Sequence, residues 1–109
     1  MPSSGLYSVI FGTPQGEIGG GIVVSHGGKV QGGDITYFYD GSVQEEGSRV
    51  IAHVLVQKYQ QTGESVFGDI PRFRLRLSGT SDGSHILLKG SMVENPGAEI
   101  TVQCTKLAV

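Results

Sequence analysis

Apolar and polar residues alternate with a period of two along much of this chain. In RFRLRL, Phe73, Leu75 and Leu77 fall on one side, with Arg72, Arg74 and Arg76 on the other. Near the end, Ile100, Val102 and Cys104 alternate with Thr101, Gln103 and Thr105, and Ile86, Leu88 and Met92 form another apolar row. Successive side chains of a strand point to opposite faces, so this pattern predicts antiparallel strands with one buried face. Short apolar runs separated by Gly, Asn, Pro and Asp clusters about every ten residues have the rhythm of an all-β sandwich or barrel. The expected strands are 6–13, 17–25, 29–33, 36–43, 49–59, 72–78, 85–93 and 99–107. The segment 60–70 (QQTGESVFGDI) is too long for a tight hairpin. It is expected to hold the one short helical segment, a single turn over 63–68, with Val66 and Phe67 plugging an end.

Two strands depart from simple alternation. In the first, Tyr7, Val9 and Phe11 are apolar, but so are Leu6 and Ile10; in the fifth, Val50, Ala52, Val54 and Val56 oppose Ile51, His53 and Leu55. Both faces of these strands want cover, and the pattern leaves open which face is inward. One face lines a core. The other needs a second copy of the protein, because the sequence offers hardly any helix to cover it. A homodimer is therefore expected, with Leu6, Ile51, His53 and Leu55 as interface candidates.

Composition narrows the class. At 109 residues and 38% apolar content, the chain suits one globular domain over 1–109. No apolar run approaches the roughly 20 residues of a membrane span. The start, MPSSGLYS, shows no secretory signal, and the single Cys104 cannot form an intrachain disulfide, which fits a cytoplasmic protein. A net charge of −2 argues against direct nucleic-acid binding, where neutralising phosphate supplies most of the affinity.

Glycine is the unusual feature, with 18 in the chain and eight of them between Gly16 and Gly33. A phosphate loop does not fit. Gly28-Lys29 is followed by Val30 where a P-loop needs Ser or Thr, and the residue five before Gly28 is Val23. A dinucleotide fingerprint starting at Gly19 and Gly21 would need glycine where Val24 stands. Glycines within strands mark bulges, bends or close backbone approach, and closing a small barrel needs such bends. Gly27-Gly28 suits a hairpin turn, and Gly32-Gly33 a sharp corner with Asp34 bonding nearby backbone N–H groups.

GLYSVIF, the glycine-rich second strand, GGKVQGGD, YFYDG and RVIAHVLV together resemble the GrlR family, small negative regulators associated with type III secretion genes. The pattern G-x-[IV]-x-GGD followed by Y-x-G is the most telling part, and the likeness is strongest over 5–56. The resemblance implies an eight-stranded antiparallel, lipocalin-like (calycin-type) β-barrel that dimerises and binds a transcriptional activator, a helix-turn-helix protein, without catalysis. In the best-known member of that family an acidic run after the fourth strand contacts the activator. The matching segment is Gln44-Glu45-Glu46-Gly47, with two acids where the family's run is longer, so Glu45 and Glu46 become the partner-binding candidates.

The residues themselves allow plainer readings. Glu45 and Glu46, in a loop between strands four and five, also suit a solvated hairpin tip. Arg72, Arg74 and Arg76 read as an exposed barrel wall with carboxylate partners on neighbouring strands. His26, His53 and His85 lack the short spacing of a zinc site, so no metal or other cofactor is expected. There is no G-x-S-x-G elbow, and Ser25-His26 point apart on a strand, so no enzyme is expected. Cys104 reads as a small core hydrophobe. An eight-stranded barrel is either filled by side chains or holds one small ligand. Gly20, Ala52 and Gly90 would leave room inside, with Tyr37, Phe38 and Tyr39 at the mouth and Phe73 within. Tyr37, Tyr39 and Phe73 are thus the cavity candidates for a second possibility, a carrier or sensor of a small apolar, lipid-like molecule.

Overall fold

A computed structural model describes residues 4–59 and 71–109. The short helical segment expected in 60–70 lies outside the described residues. Eight strands follow one another: β1 (Gly5–Thr13), β2 (Gly16–His26), β3 (Lys29–Gly33), β4 (Tyr37–Glu46), β5 (Arg49–Lys58), β6 (Arg72–Ser81), β7 (His85–Met92) and β8 (Glu99–Ala108). Each pairs antiparallel with the next, and β8 returns to β1 to close a barrel. This is the up-and-down arrangement of lipocalin-like barrels. Closure gives each described strand a neighbour on both sides, although the first half of β2, before Ile22, extends beyond its pairing with β3.

The period-two rows of the sequence become the barrel wall. Tyr7, Val9 and Phe11 of β1 point inward, as do Val50, Ala52 and Val56 of β5. Phe73, Leu75 and Leu77 of β6 and Ile100 and Val102 of β8 complete the core, while Arg72, Arg74 and Arg76 stay outside. Arg74 finds its carboxylate just past β7: its Nε lies 2.8 Å from Glu94 Oε2, and its backbone N–H donates to Oε1 at 2.9 Å. These bonds, the backbone one foremost, hold the Glu94 carboxyl down at about 2. Rings meet edge to face inside, Phe11 with Tyr39 at 5.3 Å between centroids and Tyr37 with Phe73 at 6.1 Å.

Glycine permits the curvature, although not everywhere as the sequence suggests. A Cβ on Gly32 would stand 1.9 Å from the Ile22 carbonyl oxygen, and one on Gly90 1.8 Å from that of Arg76. Neighbouring backbone occupies the space where a side chain would begin. Gly27 and Gly28 have φ of 58° and 84°, as a two-residue type I′ hairpin requires. The sharp corner does not fall on Gly32-Gly33, which remain in β3, but on 34–36. Gly20 faces outward rather than inward, because its pairing with Ile10 puts it in the outer row.

Two corners share one device. Asp34 Oδ1 accepts from the N–H of Thr36 and Tyr37 at 2.8 and 2.7 Å, and Asp34 N–H donates to the Tyr37 carbonyl at 2.9 Å. Asp82 repeats this with Ser84 and His85 at 3.3 and 2.8 Å, and its N–H donates to the His85 carbonyl. Each carboxylate satisfies backbone donors that a sharp turn leaves without a ladder partner. The second corner lies later than expected, because β6 continues through Gly79 and Thr80 to Ser81.

Candidate functional site

The partner-binding candidates do not lie in a loop. Glu45 and Glu46 end β4, pairing with Val50 and Arg49 across a two-residue turn, Gly47-Ser48, in which Gly47 has φ of 62°. A positive-φ glycine lets the strands run on to the tip, so both acids become ladder residues. Alternation then separates them. Glu45 belongs to the row of Tyr39 and Val43 and is half-buried at the barrel rim, whereas Glu46 is exposed. Both border an open groove of about 510 Å³ between this hairpin and the β2–β3 turn, floored by Gly27 and Gly28 and flanked by Arg49 and Ile51. A backbone bond of 2.8 Å from Val43 N–H to the Gly28 carbonyl ties the two turns together. The groove thus sets two carboxylates and the Arg49 guanidinium beside the Gly27-Gly28 backbone.

The interior offers little room. A cavity of about 70 Å³ is bordered by Tyr39, Val43, Val54, Leu75, Ile86 and Cys104, among others. Pockets for drug-sized ligands run from about 300 to 1,000 Å³. Of the three cavity candidates, Tyr39 borders this space, while Tyr37 and Phe73 are buried against one another instead. Phe38 faces outward. Ala52 and Gly90 lie in the inward rows, as expected. Ser25 also faces inward, and its buried Oγ has no hydrogen-bond partner among the described residues, while its neighbour His26 is exposed.

Tyr39 joins the cavity to the Asp34 corner. Its hydroxyl donates to Asp34 Oδ2, and the Tyr59 hydroxyl donates to the Asp34 carbonyl at 2.7 Å. Burial, reinforced by the bond to Asp34 and its charge, pushes the Tyr39 phenol well above its ordinary value. Burial likewise pushes the Cys104 thiol up to about 11, leaving it protonated at neutral pH and poorly suited to act as a nucleophile. Among the described residues, no three His, Cys, Asp or Glu side chains group so as to hold a metal ion.

The interface candidates fall on two separate panels. Leu6 lies on the outer face of β1 beside Val24, in a panel continued by Ile10 and Ile22. Ile51, His53 and Leu55 line the outside of β5, where His53 is exposed and the other two are half-buried. A polar stripe separates the panels: Asp40 accepts from Gln31 Nε2 at 3.2 Å and lies 3.6 Å from Lys29 Nζ. The run Ile22-Val23-Val24 is the signal in the sequence that this part of β2 is apolar on both faces.

Scanned against protein-family models and against curated proteins, the chain matches none. Among the described residues, no helix is long and apolar enough to cross a membrane.

Proposed function

We propose that this protein is a non-enzymatic negative regulator of transcription. It is a cytoplasmic homodimer that binds a basic protein partner, a helix-turn-helix activator, and withholds it from its genes. The observation that carries this reading is the groove at one barrel end, where Glu45 and Glu46 flank the bare Gly27-Gly28 turn. The resemblance of 5–56 to the GrlR family supports the same end of the barrel as the contact. Carboxylates at a rim act mainly by steering a basic partner into encounter and by rejecting acidic ones. The partner then contributes the apolar contact, over Ile51 and the glycine floor.

The test compares wild-type protein with the double variant Glu45→Lys, Glu46→Lys in capture from the native cytosol and in reporter assays of the captured regulator. The wild type should retain a basic DNA-binding protein and lower its reporter output; the variant should do neither while keeping its melting temperature. Identical capture and repression by both forms would remove these two acids from the contact.

A further inference from the structure

We propose that the outer wall of β6 and β7 holds a binding site for one phosphate group, carried by inorganic phosphate or by a small phosphomonoester. The site goes beyond the reading above and uses no residue of the groove. Strand register builds it. Arg76 pairs across to Ser91, and Ser78 to Lys89, so four outward positions form two adjacent rows on the same two strands. Arg76, Ser78 and Lys89 are exposed, and Ser91 is half-buried. Side chains directly opposed on one face start about 5 Å apart and diagonal ones about 7–8 Å apart, within reach of long side chains. The two cations occupy one diagonal of this block and the two hydroxyls the other. Exposed His53 extends the first row on β5, opposite Arg76.

Charge balance sets the block apart. Arg74, one repeat along β6, has the Glu94 carboxylate at 2.8 Å, and Lys29 has Asp40 at 3.6 Å. Among the described residues, neither Arg76 nor Lys89 is ion-paired. Glu99 faces Ser91 from β8, yet it pairs with neither cation. Like charges on neighbouring positions of one sheet face repel. An anion seated between them removes that repulsion and gains charge-assisted hydrogen bonds. The donor set selects the anion. The guanidinium offers a planar fork, the ammonium a compact charge with three donors, and each serine a hydroxyl. The Arg76 fork alone would occupy both oxygens of a carboxylate. The tetrahedral oxygens of a phosphate can take the fork, the ammonium and the hydroxyls together. A long polyanion is disfavoured, because it would also meet Glu94 past β7 and Glu99 on β8, on a chain of net charge −2.

Amide NMR on the isotope-labelled full chain tests this. The protein is titrated at fixed ionic strength with inorganic phosphate, with O-phosphoserine and, as the control, with chloride. Shifts should saturate and stay confined to 76–78, 89–91 and the facing His53. Saturation by only one of the two phosphate compounds supports the site and names the source of the group. Lys89→Gln should weaken binding about fivefold, the upper range for an exposed ion pair. Arg76→Gln combined with Lys89→Gln should abolish it. Both side chains are exposed, so the double variant should keep the wild-type circular dichroism; Lys89→Gln alone serves in its place if it does not. Shifts that never saturate, that chloride reproduces, or that survive these substitutions unchanged overturn the site. Tighter binding of a single-stranded oligonucleotide than of either phosphate compound also overturns it, in favour of a nucleic-acid face.

Discussion

Removing the Asp34 carboxylate should cost this barrel a large part of its stability. The side chain accepts three hydrogen bonds, from the backbone N–H of Thr36 and Tyr37 and from the Tyr39 hydroxyl. Thr36 and Tyr37 are buried, so in Asp34→Ala water cannot readily replace the lost acceptor. A bond to a charged group contributes about 1.5–3 kcal/mol net, and stranding a buried donor costs a similar amount. Discounting for the half-exposed carboxylate and for coupling within one cluster, the loss should be about 3–5 kcal/mol. At about 4–8 °C per kcal/mol for a domain of this size, the melting temperature should fall by about 12–40 °C. Asp34→Asn keeps an oxygen for the two backbone donors and should lose only about 1–2 kcal/mol. Urea titrations followed by circular dichroism give the free energies, and a cycle with Tyr39→Phe isolates the phenol bond. Burial of the Tyr39 phenol, with this bond, sets an alkaline limit. Tyr39's folded value lies above its unfolded value of about 10, so its contribution is whole below pH 10 and fades as pH rises beyond it. Tyr39→Phe should flatten that slope. An Asp34→Ala variant that loses less than about 1 kcal/mol would show that the corner is held by strand pairing and not by the carboxylate.

Other expectations follow from single observations. The Glu94 carboxyl is held down at about 2, so its contribution is present above its unfolded value of about 4.3 and is lost as pH falls towards 2; acid titration of Glu94→Gln should show a shallower loss of stability over that window than the wild type. The Ser25 hydroxyl is buried without a partner among the described residues, so Ser25→Ala should leave stability unchanged or raise it by up to about 1 kcal/mol in urea titration. A measured loss above that would mean the hydroxyl has a partner, such as a bound water. The interior cavity of about 70 Å³ is too small for a lipid-like guest, so native mass spectrometry of purified protein should give the mass of the bare chain or its dimer; a co-purifying apolar molecule would restore the carrier reading.

Much of the fold was legible because its determinants are local. RFRLRL fills alternate faces as any half-buried strand does, and β6 places Phe73, Leu75 and Leu77 inside accordingly. Gly27-Gly28 demanded positive φ, and Asp34 offered an acceptor for the N–H groups two and three residues on. The candidate site was less legible. Glu45 and Glu46 read as loop because charges and a glycine followed the aromatic run, but a turn of only two residues extends the ladder to Glu46. Gly20 read as an inward gap, although parity with Ile10 puts it outside. Tyr37 and Phe73 read as cavity wall, and their contact with one another fills that end.

The amino-acid order alone determined strand count, approximate strand ends and the two-residue spacing of each row, because backbone geometry imposes them residue by residue. It could not decide inside from outside for β1, β2 and β5, which are apolar on both faces. That choice belongs to closure: once β8 pairs with β1, one side of every strand is enclosed together and the other meets solvent. Burial of Val9 therefore exposes Ile10, and burial of Val23 exposes Ile22 and Val24. The β1–β2 hairpin already sets those three side by side, and closure decides that their face is the outer one.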